Sequence, residues 1–299
     1  MRFVKIYNIY KFAPSSLNSF GVTKVGGNEN TIVLKRIGGR IYISGQAYRY
    51  WLRSTLELVK KHENWIYDTV NREEEVIKDK VIDVEKIVDY PGFDLFGYMI
   101  TKGKRGSSDN SKDNSITRAS VVKTSVVLGI DAKVTRDVIT RRGEKDKNSL
   151  AYRELATGTF YNVVEVELFR LGKYTGEELT GDYKKKDEIF DVESVVEGYR
   201  KDVIEDFIKA TLMLRGGANL SRTLADTSPV MSLIAITDSV RIPVNETPGS
   251  VFDFFRKNFK DGRLYAYTSD GEEIDGFETF DSAEELAKEI AEVVGNEGV

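Results

Sequence analysis

The chain has 299 residues, of which 44 are lysine or arginine and 48 are aspartate or glutamate, so its formal net charge is −4. It contains no cysteine and one histidine, His62, which excludes disulfides, thiolate nucleophiles, cysteine-ligated metals and histidine-rich metal sites. Because neither a P-loop nor a dinucleotide-binding glycine pattern occurs, we expect no cofactor. No signal-like segment and no run of about 18 apolar residues is present, so we expect no membrane partner and a cytoplasmic location.

The small net charge conceals segregated blocks of charge. The net charge is +9 over residues 1–61, −6 over 62–100, +6 over 101–147, −3 over 148–269 and −10 over 270–299. Basic blocks of this size are what a polyanion-binding surface requires, although composition alone cannot place them on one face. The alternative is that these charges are simply solvated.

Hydrophobic periodicity and turn residues divide the chain into strands and helices. In chain order, we predict strands at 3–12, 31–36 and 40–43, a helix at 44–61, strands at 120–130 and 160–168, a helix at 192–214, a strand at 229–237, a helix at 251–259, a strand at 264–268 and a helix at 282–294. Gly38-Gly39 predicts a hairpin turn, and Ser44 is the predicted N-cap of the first helix.

Two long segments interrupt this pattern. Residues 62–117 are polar and irregular, except for the apolar patch at 93–99, and the very polar stretch 102–114 is expected to be mobile without a ligand. Residues 131–158 form a second, basic and helix-poor excursion. Without them the order is strand, helix, strand, strand, helix, strand, which is the ferredoxin-like order of the RNA-recognition motif. The predicted fold class is therefore α+β, with one domain over 1–299 and two insertions.

The start of the first helix is a candidate phosphate-binding site. Ser44-Gly45-Gln46 places small polar residues where backbone N–H groups are free and the helix dipole is positive. Arg49 and Arg53 lie four residues apart and so share a helix face that would extend this positive surface. The alternative is an ordinary amphipathic helix with a serine cap.

Other basic stretches are weaker candidates. Arg215-Gly216-Gly217 is followed by Asn219 and Arg222, and two glycines allow a close backbone approach to a sugar-phosphate, although they could equally form a helix C-cap. Further candidates are Arg118 and Lys123, which flank the entry to a predicted strand, and Arg141 and Arg142, for which solvated charge in a loop is the usual explanation.

Several motifs together resemble a known family. They are Phe20-Gly21, Ile43-Ser44-Gly45-Gln46-Ala47 with Arg49 and Arg53, Phe93-Asp94-Leu95-Phe96-Gly97-Tyr98-Met99, Arg118-Ala119-Ser120-Val121-Val122-Lys123, and Leu214-Arg215-Gly216-Gly217-Ala218. In this order, and over most of the chain, they resemble the DevR-type CRISPR-associated autoregulator family. That family supplies the repeated crRNA-binding backbone subunit of type I Cascade complexes.

The resemblance implies a modified RNA-recognition-motif palm, with a finger at 62–117 and a thumb loop at 131–158. It implies that copies of the protein line up along crRNA, hold its backbone without reading its sequence, and present it to target DNA among other Cascade subunits. Type III relatives cut RNA with an aspartate in the loop after the first strand, and because residues 13–28 contain no acidic residue we expect no enzyme activity. The residues expected to bind RNA are Asn18, Ser44, Gly45, Gln46, Arg49, Arg53, Arg118, Ser120, Lys123, Arg141, Arg142, Arg215, Gly216, Gly217, Asn219 and Arg222.

Two other functions remain open from the sequence. A metal-independent ribonuclease related to CRISPR repeat-processing enzymes would need a general base, for which His62 or a tyrosine–lysine set are the candidates. A structural or regulatory assembly protein would instead self-associate without any nucleic acid.

Overall fold

The computed structural model describes residues 1–25, 29–101, 115–142, 148–218 and 224–296, without the side chains at 20, 23–25, 29–30, 139–142 and 148–150. The stretch 102–114, predicted to be mobile, lies outside these ranges. No helix in the described ranges is both long enough and apolar enough to cross a membrane.

The described residues form the following strands and α-helices. The strands are β1 (Phe3–Ser15), β2 (Ser19–Val25), β3 (Glu29–Leu34), β4 (Arg36–Ile37), β5 (Arg40–Ile43), β6 (Ile77–Lys78), β7 (Val81–Ile82), β8 (Tyr98–Ile100), β9 (Ile116–Arg118), β10 (Val122–Thr124), β11 (Val127–Gly129), β12 (Lys133–Arg142), β13 (Asn148–Glu167), β14 (Lys173–Thr175), β15 (Ile189–Asp191), β16 (Met231–Thr237), β17 (Arg263–Thr268) and β18 (Glu278–Phe280). The α-helices are α1 (Gly45–Val59), α2 (Val84–Ile87), α3 (Pro91–Phe96), α4 (Gly176–Thr180), α5 (Tyr199–Leu212), α6 (Val251–Asn258) and α7 (Ala283–Asn296).

A large mixed sheet forms the centre of the protein, which confirms a mixed α+β fold. Its path runs β18-β17-β16-β1-β13-β11-β5-β4, and β10 and β12 also pair with β13. At its middle, β1 lies antiparallel to both β16 and β13, and β13 lies antiparallel to β10 and β11. The six predicted central elements are all present, although the strand predicted at 120–130 is divided into β10 and β11.

The alternating side chains of β1 build two separate cores. Val4 and Ile6 point to the face that packs against α1, α5 and α7, whereas Tyr7 points to the opposite face. That opposite face is covered by α6, and Tyr7 stacks on Tyr161 there with ring centroids 5.4 Å apart. The period of two in an extended strand explains this division, because successive side chains leave a sheet on opposite sides.

One turn and one helix cap predicted from the sequence have the expected geometry. Gly38 and Gly39 have φ angles of 53° and 78° in the turn between β4 and β5, a region that other residues rarely occupy. Ser44 caps α1, because its side chain accepts a hydrogen bond from the Ala47 N–H at 3.3 Å.

The excursion at 131–158 differs from the loop that the sequence predicted. Residues 133–142 form β12, which pairs antiparallel with residues 148–157 of β13 as a continuous ribbon. Val134 and Val138, two residues of one face of this ribbon, are both exposed. The β-branched residues of 133–142 favour this strand, and the basic residues among them do not prevent it.

The polar loop predicted after the first strand is also shorter than expected. The strand β1 continues to Ser15, and β2 begins at Ser19, so a short connection separates the two. The described part of the 62–117 segment is packed rather than extended, since Trp65, Tyr67 and Phe93 are buried in the same core as α1.

A buried ion pair holds this segment against the rest of the protein. The carboxylate of Asp94 in α3 accepts a hydrogen bond from Arg118 Nη2 at 2.5 Å and another from the Gly172 N–H at 2.7 Å. Arg118 also donates to Glu178 at 2.7 Å, and its guanidinium lies 3.9 Å from the centroid of the Tyr174 ring. Burial opposes the charge on Arg118, but its anionic neighbours, Asp94 foremost, outweigh burial and raise its pKa.

Replacing Arg118 should destabilise the fold strongly. An Arg118→Leu variant leaves Asp94 charged and buried without its partner, which costs about 3–5 kcal/mol of unfolding free energy. Denaturant unfolding measures this loss, and Lys123→Leu, at an exposed position in β10, is the matched control with a change of about 0.5 kcal/mol or less. Similar unfolding free energies for the two variants would contradict the structural role of Arg118.

A second carboxylate, Asp206 in α5, is buried beside α1. It accepts hydrogen bonds from the Tyr67 hydroxyl at 2.7 Å and from the Lys61 N–H at 2.9 Å. Burial raises the pKa of Asp206 to about 6, although these two hydrogen bonds act in the opposite direction. Since the unfolded value is 3.8, folding takes up a proton at this site between the two values.

The stability of the protein should therefore depend on pH through Asp206. The contribution of Asp206 protonation to the unfolding free energy is complete below pH 3.8 and is lost as the pH rises through about 6. Relative to Asp206→Asn, the wild type should lose unfolding free energy over this interval, by at most about 3 kcal/mol at 1.4 kcal/mol per pKa unit. Denaturant titrations of both proteins across this range measure the difference, and parallel curves would contradict the assignment.

Candidate nucleic-acid interface

The N-terminus of α1 is supported from the loop after β1. The Asn18 side-chain oxygen accepts a hydrogen bond from the Ser44 N–H at 3.2 Å, and Ser44 in turn caps the helix. Gly45 approaches β10 closely, because a β-carbon there would lie 3.3 Å from the Thr124 hydroxyl oxygen. Asn18 and Ser44 thus fix the start of the helix, and a residue larger than glycine at position 45 would press on β10.

A groove of about 610 Å³ lies between α1 and β10. Its lining residues are Gly45, Gln46, Arg49, Arg53, Lys123 and Thr124. The structure thus brings together five of the residues predicted from the sequence, and it adds Thr124, which carried no motif. Three of the six are cationic and no acidic side chain is among them, so the groove attracts anions.

The two arginines of the groove share one aromatic support. The guanidinium carbon of Arg53 lies 4.4 Å from the centroid of the Phe96 ring, and that of Arg49 lies 5.4 Å from it. Arg49 Nη2 also donates to the Phe96 carbonyl oxygen at 2.6 Å. Burial lowers the pKa of Arg49 to about 10, with a further contribution from the positive charge of Arg53. Both arginines stay charged at neutral pH.

Arg53 is affected by a nearby carboxylate without being paired to it. Burial lowers its pKa, and the negative charge of Asp68 acts in the opposite direction. No ion pair joins the two among the described residues, and Arg53 Nε and Asp68 Oδ1 are both buried without a hydrogen-bond partner. The buried Nε–H of Arg53 is therefore an unused hydrogen-bond donor.

The structure places two residues of the strand entry that were predicted to bind RNA inside the fold. The side chain of Arg118 has no exposed area, because it is enclosed in its ion pair with Asp94, so it cannot reach a ligand in the groove. The Ser120 hydroxyl is used inside the fold, where it lies 2.7 Å from the Leu95 carbonyl oxygen and 2.6 Å from the Val122 carbonyl oxygen. Lys123 is different: its side chain is 43% exposed and lines the groove.

The Arg215–Gly217 segment lies against another side of α1. Gly216 packs on Trp51 so closely that a β-carbon there would lie 2.0 Å from Trp51 Cδ2, and the Arg215 N–H donates to the Thr55 hydroxyl at 3.0 Å. On a helix of 3.6 residues per turn, Trp51 lies about 160° around the axis from both groove arginines, and Thr55 lies about 120° from Arg49 and about 160° from Arg53. The structure therefore does not bring Arg215, Gly216 and Gly217 into the α1–β10 groove.

Four predicted residues cannot be assigned to the groove. Asn219 and Arg222 lie outside the described residues. Arg141 and Arg142 lie at the end of β12, and their side chains are outside the described part of the structure. In the described ranges, no group of three or more histidine, aspartate or glutamate side chains is arranged to hold a metal ion.

Phe96 contacts both groove arginines but is not among the residues predicted to bind RNA. The sequence at 93–99, an apolar patch that also contributes to the family resemblance, does not link Phe96 to α1, 43 to 47 residues earlier. The next residue, Gly97, has a φ of 72°, and a β-carbon there would lie 2.4 Å from the Arg118 carbonyl oxygen. The chain therefore passes close to Arg118 directly after Phe96.

Comparisons with known proteins agree with the fold. Two solved structures match nearly the whole chain: "CRISPR RNA-guided surveillance complex", with 16% identity, 97% of this chain and 99% of that chain covered and a TM-score of 0.55, and "CRISPR RNA-guided surveillance complex, pre-nicking", with 15% identity, 98% and 100% covered and a TM-score of 0.56. A search of curated proteins gives no match. The model of the family "CRISPR-associated negative auto-regulator DevR/Csa2" matches residues 35–258, and the chain belongs to this family.

Proposed function

We propose that the protein is the crRNA-binding backbone subunit of a type I CRISPR surveillance complex, and that it holds the sugar-phosphate backbone of the guide in the α1–β10 groove. The observation that carries this proposal is the pair of arginines, Arg49 and Arg53, which face the groove with no carboxylate paired to either among the described residues. Cationic side chains that line a groove can contact phosphates without reading the bases.

The fold supports the same assignment. The central strands run in the order β16, β1, β13 and β10/β11, all antiparallel, with α1 and α5 as the connecting helices, which fits a modified RNA-recognition-motif palm. The ribbon of β12 and β13 within 131–158 is a candidate thumb, and 62–117 is a candidate finger. Because α6 covers the sheet face around Tyr7, RNA would lie on the opposite side of the sheet, where α1, α5 and α7 pack.

The partners follow from this role. The two matching structures are of RNA-guided surveillance complexes, and the match covers nearly all of each chain. We infer that adjacent copies of the protein line up along one crRNA together with other Cascade subunits, and that target DNA reaches the complex by pairing with the guide. The protein would hold RNA without cleaving it, and would need no cofactor.

Neutralising the two groove arginines should weaken RNA binding. With single-stranded crRNA, Arg49→Gln combined with Arg53→Gln is expected to lower affinity at least about tenfold near 0.1 M salt. It should also reduce the slope of log affinity against log salt by about 1 to 2, because fewer counterions are released. Fluorescence titration over a salt series measures both quantities.

The matched control for this experiment changes the same amount of charge elsewhere. Lys257→Gln combined with Lys260→Gln acts at and just after α6, on the opposite face of the sheet, where both side chains are exposed. Affinity should stay within about twofold. Wild-type binding that ignores salt, or an arginine double variant that binds like the wild type, would contradict the groove assignment.

One observation favours the ribonuclease as a second candidate. His62 Nε2 lies 2.6 Å from Asp202 Oδ2, and a carboxylate beside an imidazole is the arrangement of a general base. Its ring also packs on Trp65, with centroids 4.4 Å apart, and Asp202 is shared with Lys61. The pair joins the end of α1 to α5, so a structural role accounts for it equally well.

Incubation with labelled repeat RNA distinguishes the two candidates. We expect the RNA to stay intact with and without EDTA, because His62 lies at the C-terminal end of α1 and does not line the groove at the start of that helix. Gel electrophoresis of the products measures this outcome. Cleavage that is lost in His62→Ala would establish the ribonuclease and remove the purely binding role.

A further inference from the structure

We propose that Phe96 is a positioning residue, which holds Arg49 and Arg53 as a fixed pair in the groove that would bind the RNA backbone. This inference rests on the proposed function. Phe96 is 4% exposed and does not line the groove, so any effect on RNA must pass through the two arginines.

Phe96 contacts the two arginines in two ways, through its ring and through its backbone carbonyl. Its ring attracts both cations, since the guanidinium carbons lie 4.4 Å and 5.4 Å from its centroid, within the range of a cation–π contact. Its carbonyl oxygen takes one donor from Arg49 at 2.6 Å. The ring and the carbonyl belong to one residue, so the positions of the two arginines are coupled.

Phe96 itself is held rigidly on both sides. Two residues earlier, Asp94 is fixed by Arg118 and by the Gly172 N–H, and one residue later Gly97 makes the turn that rests on the Arg118 carbonyl. Phe96 is therefore tied to the buried ion pair through its neighbours in the chain.

This arrangement favours an anion for two physical reasons. The positive charges of Arg49 and Arg53 repel each other, and within the described residues neither forms an ion pair with a carboxylate, so a phosphate would relieve the repulsion. Long arginine side chains also lose conformational freedom when they bind a ligand. A ring that restricts them beforehand lowers this cost.

The test separates the ring of Phe96 from its contribution to stability. Phe96→Leu keeps the carbonyl and removes the aromatic face, whereas Phe93→Leu removes an equally buried ring of α3 that contacts Tyr90 and Tyr98 instead of the arginines. Each variant is titrated with a labelled single-stranded RNA of about 30 nucleotides over a salt series. Its thermal midpoint is measured in parallel, and Phe96→Met replaces Phe96→Leu if the latter does not fold.

We expect Phe96→Leu to lower RNA affinity about tenfold, while Phe93→Leu changes it less than about twofold despite a similar fall in the thermal midpoint. In an Arg53→Gln background, the additional effect of Phe96→Leu should shrink to about threefold or less, because the two residues act as one unit. Equal effects of the two leucine variants, or a tenfold loss that persists in the Arg53→Gln background, would overturn the inference.

The result also separates this inference from the proposed function. If RNA binding depends on Arg49 and Arg53 but Phe96→Leu behaves like Phe93→Leu, only the positioning role fails. If the wild type does not bind RNA, or binds independently of both arginines, the proposed function fails and the inference fails with it.

Discussion

The buried ion pair between Asp94 and Arg118 is the constraint on which the groove depends. It joins a short helix inserted after α1 to the strand β9 and to the Gly172 backbone, across large distances in sequence. A buried charge pair of this kind contributes little net stability by itself, but the loss of either partner is costly. Here the ion pair fixes the position of Phe96, which follows Asp94 by two residues and supports the groove arginines.

The basic and acidic blocks of the sequence are also separated in the structure. The groove takes its cations from the two basic blocks of the sequence, with Arg49 and Arg53 from the first and Lys123 from the second. The most acidic block contains α7, which packs on α5, and α5 in turn contacts α1. A helix thus stands between the acidic end of the chain and the groove helix, and salt screens charges that are about 8–10 Å or more apart.

Local patterns predicted much of this structure, since the signals for α1, its Ser44 cap and the central strands lie within a few adjacent residues. The role of Arg118 could not be predicted in this way, because a basic residue at a strand entry has the same sequence pattern whether its side chain faces water or a carboxylate. A hint was available in Asp94, a single charge between Phe93 and Leu95, which in a buried position requires a partner. Which residue supplies that partner depends on the tertiary fold.

The hairpin of β8 and β9 has a consequence for how this protein can be altered. Tyr98 pairs with Arg118 and Ile100 with Ile116, and the Asp94 ion pair closes the base of the hairpin. The pairing of Ile100 with Ile116 and the ion pair between Asp94 and Arg118 therefore fix the two points at which residues 102–114 join the described structure. A peptide tag or a fluorescent reporter inserted between these two points would begin and end next to paired residues.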